Sequence, residues 1–315
     1  MPGQPVNRVV FDERFESLVP AGAPVEHLAG GAIWAEGPVY LPDEDAVVWS
    51  DVRSDRVRRW TTAEGDRTLY SPGDFANGHT LDRDGRVLAC EQGLRRIARY
   101  EADGTRTTIV DRYEGRRLNS PNDLIVASDG AVWFSDPPYG ILDDSEGHRA
   151  ESELGRCFVF RFDRDTRELT VVSDAMEHPN GLAFSPDESV LYVSDTSAAR
   201  IPGGNHHILA FDVIDGGRRL ANPRTFVVIE PGFADGFRVD VDGNVWTSAG
   251  DGIHVLDARG VELGRILLPE VASNCVFGGR DGRRLFVTAT SSLWSIEVGI
   301  RGVLTPWADS ATGGG

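Results

Sequence analysis

Six times along this chain a tight-turn signal is followed at once by a short run of strand-forming residues. The turns contain Asp43, Asp84, Asp129, Asp187, Asp242 and Asp281, and the runs occupy 46–50, 87–90, 131–135, 190–194, 244–248 and 284–288. Asp-Gly and related pairs tolerate the positive φ values that tight hairpins need. Successive turn aspartates lie 41, 45, 58, 55 and 39 residues apart. A repeat of that period, holding several short strands, is the pattern of propeller blades, and convincing amphipathic helices are scarce. The spacing predicts an all-β fold: a six-bladed β-propeller with a central channel, one domain over residues 1–315. The two long intervals leave room for insertions at 139–155 and 198–207. Closure of the ring needs a segment from one end of the chain. Residues 1–20, in particular 9–18, are expected to pack on the last blade, or the C-terminal segment completes it, with 310–315 a flexible tail.

A second regularity concerns chemistry. Seven residues before each turn aspartate stand Glu36, Asn77, Asn122, Asn180, Asp235 and Asn274. All six carry side-chain oxygens, and no hairpin requires that. The position is the start of a blade's first strand, which is the innermost, so the six are expected to ring one mouth of the channel. A lone Asn or Asp at a strand start is usually a turn or capping residue; six in phase are not explained that way. Gly37, Gly78, Gly181 and Gly236 directly follow their ring residues, and Pro121 precedes Asn122; glycine lets backbone crowd a site without a Cβ clash. The second strands run back to the same mouth and end in Asp51, Glu91, Asp136 and Asp195, a second polar layer outside the ring.

Two carboxylates and four amides form a hard, all-oxygen donor set. Such a set selects Ca²⁺, with Mg²⁺ and Mn²⁺ as further candidates, and disfavours structural Zn²⁺. His79, two residues after Asn77 and on the same face of a regular strand, either reaches substrate or fills the channel. Asp136 and Tyr139 flank a rigid Pro-Pro turn that walls a pocket at the mouth or merely turns the chain.

Net charge is −17, from 49 acidic against 32 basic residues. That argues against nucleic acid or anionic membrane as a partner, because phosphate binding needs clustered Lys and Arg. No apolar stretch approaches a membrane span, and residues 1–13 lack a signal-peptide pattern. Three widely separated cysteines, Cys90, Cys157 and Cys275, suit a reduced compartment, so a cytoplasmic location is expected. The sequence carries no sign of oligomeric state.

At the ring residues the chain resembles the gluconolactonase branch of the SMP-30/gluconolactonase/luciferin-regenerating-enzyme family. The matching segments are WAEGP at 34–38, NGHT at 77–80, NSPND at 119–123, WFSDPPYG at 133–140, PNGLAFSP at 179–186 and ADGFRVD at 234–240. The resemblance implies a six-bladed propeller that hydrolyses small, sugar-type lactones with one divalent cation, Ca²⁺ first, and Mg²⁺, Mn²⁺ or Zn²⁺ as other occupants. It implies Glu36, Asn180 and Asp235 as metal ligands, Asn122 as a fourth ligand or a substrate contact, and Asp235 as the acid/base. Asn77, Asn122, Asn274, His79, Asp136 and Tyr139 are then the candidate substrate contacts. Ala234 departs from the Pro found in many relatives. Arg238 stands where some related propellers carry an acidic ligand for a second calcium, which argues against a second ion here. The alternatives are hydrolysis of organophosphates or other cyclic esters, or an isomerisation, on the same cation, and, in a different class, a non-catalytic interaction scaffold. No Trp-Asp dipeptide of the WD40 kind occurs, and a scaffold has no use for two carboxylates on its axis.

Overall fold

The structure, a computed structural model, describes residues 4–303; the expected tail at 310–315 lies outside them. Among the described residues six antiparallel blade sheets follow one another along the chain; the first five are built on a meander of four strands, and the sixth on three consecutive strands joined by a strand from the N-terminal region. The innermost strands of blades one to six are Ala35–Leu41, Ala76–Leu81, Leu124–Val126, Pro179–Phe184, Phe237–Val239 and Ala272–Gly278. The six-bladed propeller read from the repeat is therefore what forms.

The reason lies in which faces are covered. Second strands are buried on both sides, as in Ala46–Asp51 and Val132–Asp136, where every residue is buried. They read as continuous apolar runs because a neighbouring blade packs on each face. Outer strands such as Gly65–Tyr70 and Arg219–Val228 mix exposed and half-buried residues.

The apolar core is divided accordingly into six clusters, one in each seam between neighbouring blades. Val39, Val48 and Val57 of blade one meet Ala76, Ala89 and Tyr100 of blade two. Trp133 of blade three packs with Leu182, Leu191 and Phe211 of blade four, and Trp49 of blade one with Phe286 and Leu293 of blade six. Because the core sits in the seams, the axis is left for polar groups.

Closure differs in detail from the expectation. The fourth strand of the last blade is Pro24–Ala29, which pairs with Ser292–Glu297. It comes from the N-terminal region, but downstream of residues 1–20. Asn7–Val10 instead adds a fifth strand to blade five, against Glu262–Leu267, and only Gln4–Pro5 of that stretch reaches the last blade, on the edge of Pro24–Ala29. Arg14–Leu18 is a short helix. Phe15 and Leu18, three residues apart and so on one helical face, are its buried residues, in the seam between blades five and six. A small hairpin, Arg112–Tyr113 with Arg116–Arg117, joins blades two and three and has no counterpart in the repeat.

Candidate active site

The six ring residues all lie at the starts of innermost strands. Glu36, Asn77, Asn180 and Asn274 are within the first three residues of theirs, and Asn122 and Asp235 stand two residues ahead. In four blades the ladder slips register at this point, between Glu36 and Val39, Ala76 and His79, Pro179 and Leu182, and Ala272 and Asn274. A bulge of this kind bends the strand and re-aims a side chain.

The glycines that follow make room for the next blade. A Cβ on Gly181 would stand 2.2 Å from the Asp235 carbonyl oxygen, and one on Gly37 1.9 Å from that of Asn77. Adjacent blades are stitched through the same atoms. Gly181 N–H donates to Asp235 O at 3.0 Å, and Gly78 N–H to Asn122 O at 2.8 Å. Second-strand serines add to this: Ser50 Oγ donates to Asn77 O at 2.8 Å and Ser194 Oγ to Asp235 O at 2.9 Å.

The side chains converge. Asn274 Nδ2 donates to Glu36 Oε2 at 3.4 Å, and Asp235 is hydrogen-bonded by Asn180 and to Glu36. Glu36 is 3 % exposed. Burial, then the charge of Asp235, raises its carboxyl well above the ordinary range. Asp235 keeps some contact with the channel solvent, but its carboxyl is deep enough that desolvation, then Glu146 and Asp123, pushes it up to about 7. Among the described residues no Lys, Arg or His forms an ion pair with either. Asn77 and Asn122 are also buried, at 5 % exposure each, and their amides make no hydrogen bond to another described residue.

This donor set fits a divalent cation. Two buried carboxyls, both held above their ordinary range mainly by desolvation and with no cationic side chain paired to either, lack the partner that normally accompanies buried charge. No three His, Cys, Asp or Glu side chains come together as a metal group among the described residues. A third protein donor from the ring would be an amide oxygen, and Asn180 is the ring amide hydrogen-bonded to Asp235.

His79 is wholly buried. Its Nδ1 bonds to Gly37 O at 2.8 Å, and its Nε2 has no partner. Burial pushes it down to about 4, so the ring is neutral. Its position ties blade two to the bulge that carries Glu36.

The outer acidic layer holds the loops that lead into the ring. Asp51 accepts from Ile33 N–H and Trp34 N–H, Asp195 from Glu177 N–H and His178 N–H, and Asp136 from Asn119 N–H at 2.8 Å and Ser120 N–H at 2.9 Å. Glu91 is paired with Arg96 and Arg106 instead. Both Asp136 oxygens are thus engaged by backbone, and burial pushes its carboxyl up to about 7; its geometry is that of a loop anchor. Tyr139, expected as a substrate contact, directs its hydroxyl to Thr196.

Two residues outside the phased ring belong to the site. Asp123, buried beside Asn122, forms an ion pair with Arg238 at 3.5 Å, and its charge reaches both Glu36 and Asp235. It occupies the place where four blades have glycine, and that was its visible signal. Glu146 arrives on the insertion at 139–155, is clamped by Arg53 at 2.7 Å, and acts on Asp235 through space. A separate concavity of about 540 Å³, lined by Arg14, Asp242 and Asp257 at the turn end of blade five, touches none of the ring residues.

Comparison with known proteins gives the family. The model for the SMP-30/Gluconolactonase/LRE-like region matches residues 34–291. A gluconolactonase of Zymomonas mobilis is 32% identical over 321 aligned residues, covering 93% of this chain and 86% of that protein. The pentonolactonase XacC of Haloferax volcanii is 32% identical over 265, covering 80% of each. A solved gluconolactonase from Xanthomonas campestris is 40% identical, with a TM-score of 0.87, over 95% of this chain and 97% of that one. The family match spans all six ring positions, and the chain belongs to the SMP-30/gluconolactonase/LRE-like family.

Proposed function

We propose that this protein opens small, sugar-type lactones by hydrolysis, with one divalent cation, Ca²⁺ first, held by Glu36, Asn180 and Asp235. The observation that carries the proposal is the Glu36–Asp235 pair: two carboxyls held above their ordinary range by burial, hydrogen-bonded together, with no cationic side chain paired to either and the Asn180 amide beside them. A bound divalent cation supplies Lewis-acid polarisation of the ester carbonyl at such a site. The protein supplies the rest. Asp235 takes a proton from the attacking water as its oxygen bonds to the acyl carbon. When the acyl–oxygen bond of the ring breaks, the same proton passes to the departing alkoxide, so the product is a hydroxy acid. Asn77 and Asn122, buried and with free amides, bind and orient substrate hydroxyls. A lactone's ring strain and fixed ester geometry make it a better electrophile than an open ester, so a modest catalyst suffices.

The lactonases among its relatives support this reading, and no helix among the described residues is long and apolar enough to cross a membrane. The test is acid release in a pH-stat from a panel of aldonolactones and unsubstituted lactones, with Ca²⁺, Mg²⁺, Mn²⁺ or Zn²⁺ added back to chelator-treated protein. Chelation should lower turnover by on the order of 10²-fold or more, the scale of losing the main oxyanion stabiliser. Full turnover in chelator would overturn the metal assignment, and no turnover of any lactone would overturn the activity.

A further inference from the structure

We infer that Thr196 and Tyr139 are positioning residues that fix which end of the Asn180 amide faces the channel. This rests on the reading of Asn180 as a cation donor. An amide offers a cation only its oxygen, and a buried Asn can present either end unless a neighbour discriminates between them. Thr196 does so. Asn180 Nδ2 donates to Thr196 Oγ1 at 3.0 Å, and the amide also bonds the Asp235 carboxyl; both of these are donor roles, which occupy the nitrogen and leave Oδ1 as the end open to a cation.

The threonine hydroxyl is itself held in place. The Tyr139 hydroxyl lies 2.5 Å from Thr196 Oγ1 and 3.2 Å from the Thr196 carbonyl oxygen. Either hydroxyl can be the donor in the shorter contact, and in both cases Thr196 Oγ1, which has two lone pairs, keeps one for the Asn180 N–H. Asn180, Thr196 and Tyr139 are 5 %, 3 % and 7 % exposed, so water competes little. The His178 ring packs edge-on against Tyr139 with centroids 5.3 Å apart and fixes the phenol. Thr196 directly follows Asp195, whose carboxylate holds the loop entering blade four, and Tyr139 opens the insertion that brings Glu146 to the site. The chain of bonds thus couples that insertion to Asn180.

The test is the Ca²⁺ dissociation constant, measured by calorimetry on chelator-treated full-length protein, together with the melting temperature of the metal-free form. Thr196→Val removes the acceptor while keeping shape, and should weaken Ca²⁺ binding by about tenfold, the scale seen when partners of metal ligands are lost. Thr196→Ser should restore it to within about twofold, as a merely space-filling role would not. Tyr139→Phe should weaken binding about threefold, and adding it to Thr196→Val should cost nothing more, because both act through one hydroxyl. Unchanged Ca²⁺ affinity in folded Thr196→Val, or additive losses, would overturn the inference. If Thr196→Val does not fold, Tyr139→Phe and Thr196→Ser decide it alone, and an unchanged affinity in Tyr139→Phe overturns it. Failure of the underlying reading looks different: the unmodified protein would bind no Ca²⁺, or Asn180→Ala would bind it as well as the unmodified protein does.

Discussion

Asp235 has two neighbours that oppose its ionisation, Glu146 and Asp123, in addition to burial. The sign of the consequence is definite. Its folded-state value of about 7 stands above the ordinary 3.8, so in metal-free protein the folded state holds a proton that the unfolded chain has released between those two values. Metal-free stability should therefore fall as pH rises from about 4 through 7, whereas Ca²⁺ affinity should rise across the same window, with protons released on binding below pH 7. Calorimetry at pH 5.5 and 8 in two buffers of different ionisation enthalpy measures both. Glu36→Gln and Asp235→Asn separate binding from chemistry. Each removes a ligand charge, but only the second removes the base. Saturating Ca²⁺ should return Glu36→Gln to within about tenfold of normal turnover and leave Asp235→Asn lower by on the order of 10²–10⁴. Equal rescue would point to a water activated without Asp235. Both carboxylates were legible in the sequence because the seven-residue phase needs only the chain's own period. Thr196 and Glu146 were not, because their roles come from contacts between blades and from an insertion outside the repeat.

At the scale of the element, the innermost strands combine two requirements that conflict in an ordinary strand: they pack between neighbouring blades, and they present oxygen donors at one end. The bulges at or beside Glu36, Asn77, Asn180 and Asn274 resolve this by interrupting the ladder only over the one or two residues around the ring position. The glycine pattern was readable as permission for close approach, and Gly181 shows how close. Its Cβ position is 2.2 Å from Asp235 O and 2.8 Å from Gly236 Cα, both backbone atoms that cannot swing aside. Gly181→Ala should destabilise by about 1–3 kcal/mol, as overpacking does, and should lower kcat by displacing Asp235. Gly22→Ala, where a Cβ meets nothing within 4 Å, should stay within about 0.5 kcal/mol with normal turnover. Urea unfolding and lactone turnover of the pair decide it; a silent Gly181→Ala would mean the seam yields. The outer acids were read as a polar layer, but not as loop anchors. Which backbone N–H groups meet Asp51, Asp136 and Asp195 depends on loops whose path a strand period does not specify.

For the whole molecule, six seams in a closed ring mean that no blade has a free face while the ring is shut, and that the join between first and last blades bears on all of them. That join is made by Pro24–Ala29 on Ser292–Glu297, so residues near the two ends of the described chain share one sheet. The alternation that marks this strand is weak in sequence, with Glu26 and His27 between Val25 and Leu28, which is why the closing segment was expected earlier in the chain. Its contribution comes from ladder hydrogen bonds at about 1 kcal/mol each and from partly burying Val25 and Leu28 against the adjoining clusters at up to about 2 kcal/mol each. Removing residues 1–30 takes out the buried Phe15 and Leu18 as well and should therefore cost at least about 5 kcal/mol, comparable to the whole stability of many domains. It also exposes Leu293 and Ile296 on an unpaired edge, so the truncated chain should associate as well as unfold early. Among the described residues, removing residues 1–10 takes away the fifth strand of blade five, the edge pair at Gln4–Pro5, buried Val6 and the bonds of Arg8 to Val19 and Glu16, leaving every four-stranded blade intact. That variant should remain cooperative, with a smaller loss. Size-exclusion chromatography and urea unfolding of both truncations give the comparison. A 1–30 deletion that elutes like the full chain and unfolds at the same urea midpoint would show that the ring holds its channel without this closure, and that the seams alone keep Glu36 opposite Asp235.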